Sequence, residues 1–424
     1  MPTPSISKVT ALEILDSRGN PTVMAKVELS NGMEARAGVP SGASTGRFEA
    51  LELRDNDINR YRGRGTRKAV DNIKTVIHQA LKGKSVDDSS QIDRIMIDLD
   101  GTEYKSKLGA NAILAVSLAC ARLAAKVSGK PLYQYIHEHY GFSDQPLRLP
   151  EPMMNIMNGG KHSDSGLSIQ EFMVVPHAPS FHERVRIGAE IFMALGDLLH
   201  QQRLSKLVGD EGGYAPRLDA NTKAFEMILE AIHQTNYKPI DDVTLAIDAA
   251  ATVFYEADLN QYRLMPEDST YSADKLVDLY KEWTEKYFLR SVEDGLREDD
   301  WNGWKMMTKK LGGKAMVVGD DLFVTNPSRL REGIKKNAAN AIIIKPNQIG
   351  TMTEAIEATK LAQQNHYAVI VAHRSGETID DFIADLAVGV NADYIKTGSL
   401  SRGERMAKYN RLLEIEMELS EWKK

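Results

Sequence analysis

Six apolar runs in the C-terminal two thirds of this chain end in charged side chains, and that repeat constrains the fold most. The run 243–247 leads to Asp248, 290–292 to Glu293 and Asp294, and 317–319 to Asp320 and Asp321. The run 342–344 leads to Lys345, 371–372 to His373, Arg374 and Ser375, and 394–395 to Lys396. From residue 293 onward the charges recur on average about every 26 residues, the length of one strand–helix unit. Val- and Ile-rich segments at 169–175, 243–247, 288–292, 315–318, 341–344, 368–372 and 393–395 alternate with helical stretches such as 328–337, 353–364 and 380–390. Fully apolar strands between amphipathic helices imply parallel βα units covered on both faces. About 280 residues of such units suit a (β/α)8 TIM-like barrel, although a doubly wound open sheet has the same alternation. In a barrel the strand ends meet at one mouth, so the charges converge where barrel enzymes carry out chemistry.

The first part of the chain is organised differently. Residues 23–29 and 33–39 are strand-like, with the hairpin signal Ser30-Asn31-Gly32 between them. Segments 66–81, 90–99, 109–127 and 131–139 have helical periodicity. This order predicts a small α+β domain over residues 1–140, and the stretch 142–152, with three prolines, is the linker candidate. The barrel then occupies 141–424, giving an α/β protein with a smaller α+β domain in front.

Charge and composition narrow the function. A formal net charge of -6 disfavours nucleic acid as the main partner, because phosphate backbones need a basic face. The one cysteine, Cys120, lies in an Ala/Leu-rich run and is expected to be a buried structural thiol. The run 111–127 is interrupted by Ser117 and Arg122 and is short for a bilayer span of about 20 residues, so a buried helix is expected. The N-terminus carries no basic and apolar leader pattern, which makes the cytoplasm the expected location.

The charges at the strand ends form a usable set. Asp248, Glu293 and Asp320 are hard oxygen donors, and without a Cys or His cluster they favour Mg²⁺ over Zn²⁺. Lys345, Lys396 and Arg374 supply positive charge beside them. Any one of these could be a strand-end salt bridge, but six in phase point to a site. The stretch 41–46, Ser-Gly-Ala-Ser-Thr-Gly, is a small-residue loop without the lysine of a phosphate-binding P-loop.

The motifs themselves resemble the enolase family almost from end to end. They are Ile14-Leu-Asp-Ser-Arg-Gly-Asn-Pro-Thr22, Val39-Pro-Ser-Gly-Ala-Ser-Thr-Gly46, Leu108-Gly-Ala-Asn-Ala112, Met157-Asn-Gly-Gly160 and Gln170-Glu-Phe-Met173. Then follow Gly209-Asp-Glu-Gly-Gly-Tyr-Ala-Pro216, Gly319-Asp-Asp-Leu-Phe-Val-Thr-Asn326, Asn347-Gln-Ile-Gly350, His373-Arg-Ser-Gly-Glu-Thr378 and Lys396-Thr-Gly-Ser399. The resemblance implies reversible dehydration of 2-phosphoglycerate to phosphoenolpyruvate, a step of glycolysis and gluconeogenesis, with two Mg²⁺ per active site. By resemblance, Lys345 is the base at C2 and Glu211 the acid toward the 3-hydroxyl, with neighbouring Glu171 raising its pKa. Asp248, Glu293 and Asp320 match the ligands of the first Mg²⁺, and Ser44, in a loop that closes over the site, a ligand of the second. Arg374 and Ser375 match phosphate binders, Lys396 the partner of the substrate carboxylate, and His162, Gln170 and Glu171 further substrate contacts.

The family also implies a homo-oligomer, dimer or octamer, and in some members RNA-processing partners or surface display with plasminogen binding through C-terminal lysines, here Lys423 and Lys424. Ala372, Pro346 and Phe48 depart from the commonest family text. They leave room for a paralogue acting on a related phospho- or phosphono-acid.

Overall fold

The computed structural model describes residues 4–43 and 46–421; Ser44, Lys423 and Lys424 lie outside the described residues. The chain begins with an antiparallel sheet, β1 (Ile6–Leu15), β2 (Pro21–Leu29) and β3 (Glu34–Gly38). The expected hairpin joins β2 to β3, and Gly32 takes φ +83° there, a conformation most open to glycine. β1 was not legible as a strand: its register shifts between Ile6 and Lys8 and its apolar positions do not alternate cleanly.

Helix Ala110–Ser128 packs on β2 and β3. By length and composition it could cross a membrane, but 83% of its apolar window lies inside the protein. An apolar helix enclosed on every side is a core helix. Cys120 is fully buried in it, and burial pushes the thiol pKa up, so it is a packing residue.

Eight strands then close into a barrel: β4 (Glu151–Asn158), β5 (Glu171–Pro176), β6 (Val243–Asp248), β10 (Leu289–Glu293), β11 (Met316–Gly319), β12 (Ala341–Ile344), β13 (Ala368–Ala372) and β14 (Tyr394–Lys396). Three short strands, β7 (Tyr255–Glu256), β8 (Gln261–Leu264) and β9 (Ser269–Tyr271), form a separate sheet after β6. Met153, Met173, Val175, Ala246, Val318, Ile343, Ile370 and Ala372 fill the barrel interior, and the helices pack outside. Ala372, one of the departures, is therefore a barrel-filling residue.

Two expectations need correction. The seven anticipated strands omit β4, and its first two residues fall in the segment assigned to the linker. β4 reads Glu-Pro-Met-Met-Asn-Ile-Met-Asn, in which Ile156 is the one β-branched residue of the kind that marks a strand, yet it is almost wholly buried. The barrel is also not uniformly parallel. β5 pairs antiparallel with both β4 and β6, whereas the other barrel pairings are parallel. No crossover helix lies between β4 and β5, and without one the chain turns back as a hairpin.

The two parts of the chain meet through buried polar contacts. Asp93, on helix Ser89–Asp100, accepts the backbone N–H (3.0 Å) and hydroxyl (2.6 Å) of Thr353, in the first turn of the barrel helix Met352–Gln364. Ser117 Oγ accepts the Met352 N–H at 3.0 Å. Burial pushes the Asp93 pKa up to about 6 from an ordinary 3.8. The folded chain therefore binds this proton more tightly than the unfolded chain. Asp93 costs stability above about pH 6 and nothing below about pH 4, by at most ~3 kcal/mol. Asp93→Asn keeps an acceptor for Thr353, so thermal unfolding should give a Tm a few degrees above the parent at pH 8, with the gain gone by pH 4.

Candidate active site

Lys396 closes β14 and sets its ammonium among three carboxylates. Nζ lies 2.9 Å from both Glu293 oxygens, 3.1 Å from Asp248 Oδ2 and 3.2 Å from Glu171 Oε2. Asp248 and Glu293 are the last residues of β6 and β10, while Glu171 is the first of β5. Because β5 is reversed, its first residue faces the same mouth as the last residues of its neighbours. All four side chains are 5% exposed or less. Burial disfavours the ammonium, but Asp248, Glu171 and Glu293 outweigh it and hold Lys396 protonated well above the usual lysine range.

Lys345 follows β12 and pairs its ammonium with Asp320 Oδ2. Its backbone N–H donates to Thr325 Oγ1 at 2.8 Å. Pro346 is the first residue of the short helix Pro346–Ile349, which suits proline, and it keeps Lys345 extended at φ −125°, ψ 101°. This departure thus fixes the lysine backbone. Burial works against the Lys345 charge, yet Asp320 overcomes it and raises the pKa. Gln348 Nε2 donates to the other Asp320 oxygen at 2.9 Å.

Across the mouth, His162 Nδ1 lies between two acids, 3.5 Å from Glu171 Oε1 and 3.6 Å from Glu211 Oε1. Asn155 Nδ2 donates to Glu211 Oε2 at 3.0 Å, and His373 Nε2 stands 3.3 Å from the same oxygen. Burial and the Glu211 charge push Glu171 well above the usual carboxylate range. Burial also pushes Glu211 upward, but His162, His373 and Arg405 outweigh it and hold that carboxyl low. The raised pKa expected at Glu211 is therefore found at Glu171, because the stronger donors surround Glu211. Gln170 Nε2 donates to Asp248 Oδ2 at 3.3 Å, so Gln170 also belongs to the mouth.

Arg405, fully buried on helix Gly403–Glu421, escaped the sequence reading because it lies in an ordinary helical pattern. Its guanidinium bonds His373 Nδ1 (2.7 Å) and the carbonyls of Arg374 (2.6 Å), Ser375 (2.6 Å) and Asp210 (3.0 Å). It ties the loops bearing Glu211 and Arg374 together. Arg405 donates, so Nδ1 of His373 accepts and Nε2 carries the hydrogen toward Glu211. Burial pushes His373 down to about 3, which keeps the ring neutral. Gly398, at φ +81°, permits this packing: a Cβ there would stand 2.9 Å from the Glu211 carbonyl and 3.0 Å from the His373 ring.

Arg374 lies just beyond β13, the strand next to that of Lys396, and forms part of the rim. It grips Glu49 with both guanidinium nitrogens, at 3.0 and 3.1 Å, and donates to Asn347 Oδ1 at 3.1 Å. Ser375 Oγ accepts the Ala43 N–H at 2.7 Å, and Ser41 and Gly376 form a two-way backbone bridge. These contacts fasten the described part of the 41–46 loop to the barrel.

Among the described residues, ligand atoms of His162, Glu171 and Glu211, and of Asp294, Asp320 and Asp321, approach within 4.8 Å of one another. Asp248 and Glu293 instead share the Lys396 ammonium, while Asp320 holds Lys345. Burial and mutual repulsion push Glu293, Asp294 and Asp321 well above the usual range. An all-oxygen donor set with surplus negative charge fits a hard divalent cation. The cavity lined by His162, Gln170, Glu171, Glu211, Asp248, Asp320, Lys345, His373, Arg374, Ser375 and Lys396 measures about 20 Å³. That is far below the ~300 Å³ at which small-molecule pockets begin. A larger recess of about 1170 Å³, walled by Arg148, Arg184 and Arg290, opens where the barrel strands begin, away from this chemistry.

The fold thus gathers each described site residue predicted from sequence into one mouth, and adds Glu49, Asn155, Gln348, His373 and Arg405. His373 could have been found from its place in the strand-end pattern; Glu49 and Asn155 come from segments without that pattern. Compared with known families, residues 6–136 match "Enolase, N-terminal domain" and residues 146–424 match "Enolase, C-terminal TIM barrel domain".

Replacing Lys396 by methionine leaves three buried carboxylates facing one another. Lys396→Met should lose about 3–5 kcal/mol of stability at pH 8 and recover much of it at pH 5, where Glu171 and Glu293 take up protons. Denaturant unfolding at the two pH values checks this; an equal loss at both would mean a packing defect and not a charge effect.

Proposed function

The chain belongs to the enolase family, and on that premise we propose that it is a Mg²⁺-dependent lyase interconverting 2-phosphoglycerate and phosphoenolpyruvate. The observation that carries this reading is the placement of the proton-transfer groups. Round the ring the strands run β10-β11-β12-β13-β14-β4-β5-β6, so Lys345 after β12 and Glu171 at the head of β5 stand four strands apart, on opposite sides. Glu211 lies with Glu171, each beside His162. A substrate held between them loses a proton on one face and a hydroxyl on the other.

In this mechanism Lys345 Nζ takes the proton from C2. Lys396, at the centre, meets the substrate carboxylate and the negative charge that grows on it. Glu211 then passes to the departing 3-hydroxyl a proton drawn from Glu171, and the hydroxyl leaves as water. Glu171 stands ready to resupply Glu211, since the pair holds its proton on Glu171. Arg374 and Ser375 receive the phosphate, the guanidinium fork being suited to phosphate oxygens. His162 and Gln170 orient the bound molecule. Asp248, Glu293 and Asp320 would hold a divalent cation, which supplies positive charge beside the substrate carboxylate. Lys345 can act as a base once neutral; Asp320, engaged elsewhere, holds its proton less firmly.

A cytoplasmic homodimer is part of the same proposal. The rival is a paralogue using a related phospho- or phosphono-acid. Phosphoenolpyruvate formation from 2-phosphoglycerate, followed by ultraviolet absorbance with Mg²⁺, separates the two: no turnover by folded, Mg²⁺-loaded protein removes the proposal. Lys345→Ala should abolish exchange of the C2 proton with solvent, whereas Glu211→Gln should retain exchange while dehydration falls at least 100-fold. The reverse pattern would mean that base and acid are exchanged.

A further inference from the structure

Glu49 has no role in the chemistry above, yet its carboxylate fills the guanidinium fork of Arg374. Oε2 lies 3.0 Å from Nη1 and Oε1 3.1 Å from Nη2, the two-point grip that a phosphate would use. The side chain is 9% exposed, against 4% for Arg374, so the pair is little screened by water. Glu49 Oε1 also accepts the N–H of Gly46, the last residue of the 41–46 loop, at 3.0 Å, and stands 3.4 Å from Gln348 Nε2. Gln348 in turn holds Asp320.

The neighbours of Glu49 are anchored independently. Phe48 lies under the Arg329 guanidinium, 3.8 Å from its ring centre, and the Ala50 N–H donates to the Gln348 carbonyl at 2.8 Å. Arg47 N–H donates to Glu298 at 3.2 Å. Glu49 can therefore leave Arg374 by rotating its own side chain; the bond from the Gly46 N–H is lost in that motion, while the Glu49 N–H keeps the Gly46 carbonyl at 3.1 Å. A carboxylate and a phosphate cannot both occupy the fork at full strength, and each repels the other when both are near.

We propose that Glu49 is an internal carboxylate latch: it occupies the anion clamp of Arg374 when no phosphorylated substrate is bound, and phosphate displaces it, freeing the Gly46 N–H. The latch couples arrival of the phosphate to the exposure of that N–H. This rests on Arg374 being the phosphate clamp of the proposed function, and the test separates the two ideas.

Inorganic phosphate is titrated into the full chain by calorimetry at fixed ionic strength, for the parent, Glu49→Gln, Arg374→Met and the double variant. Glu49→Gln should tighten phosphate binding roughly tenfold, because a buried like charge beside the anion is removed. Arg374→Met should abolish binding in either background. Unchanged or weaker binding by Glu49→Gln, with Arg374→Met still abolishing it, overturns the latch and leaves the clamp standing. Binding that survives Arg374→Met overturns the clamp itself. Hydrogen exchange supplies a second readout. Phosphate should speed exchange at Gly46 in the parent, and a Gly46 amide that phosphate leaves protected also overturns the latch. Should Glu49→Gln fail to fold, Glu49→Asp keeps the charge on a shorter arm and should likewise tighten phosphate binding.

Discussion

The ammonium of Lys396 among Glu171, Asp248 and Glu293 is the interaction on which the mouth of the barrel depends. Three carboxylates drawn together from three strands repel one another strongly in a medium that excludes water. One central cation makes their convergence tolerable, and it does so from the end of a fourth strand. The same arrangement gives the mouth its chemical character: a positive centre ringed by oxygen donors, with Lys345 on one side and the histidine–carboxylate cluster on the other.

The reversed strand gives the ring its asymmetry. In a uniformly parallel barrel the first residue of β5 would face the opposite end, and Glu171 would lie far from Lys396. The hairpin between β4 and β5 brings Glu171 and Gln170 to the reactive end and places His162, in the connecting loop, against them. Arg405 then binds the carbonyls of the loops that carry Glu211, Arg374 and Ser375. The loops that carry Glu211, Arg374 and Ser375 are held from behind by one buried guanidinium, whose donors match the acceptors that it meets.

The N-terminal sheet and its helices do more than pad the barrel. Arg18 donates to the carbonyls of Ser41 (3.2 Å) and Gly42 (3.1 Å), and Arg122 pairs with Asp380, on the stretch that follows Arg374. Asp93 anchors the first turn of a barrel helix from outside. The loop over the mouth is therefore strung between both parts of the chain, and Glu49 reaches from that stretch into the site.

The sequence by itself determined the repeat. Apolar runs ending in Asp248, Glu293, Asp320, Lys345, Arg374 and Lys396 place these side chains at strand ends whatever the details of packing, because strand period and helix period are local properties. Motif order likewise carried Glu211, His162 and Gln170. What only the tertiary structure decided was direction and neighbourhood. β4 has one β-branched residue, Ile156, and becomes a strand because its neighbours bury it; β5 runs backward because no crossover helix separates it from β4. The raised carboxyl sits at Glu171 and not Glu211 because a pKa follows the groups that surround a side chain, and around Glu211 those are His162, His373 and Arg405, far apart in the chain. Long-range contacts of this kind leave no local period in a sequence.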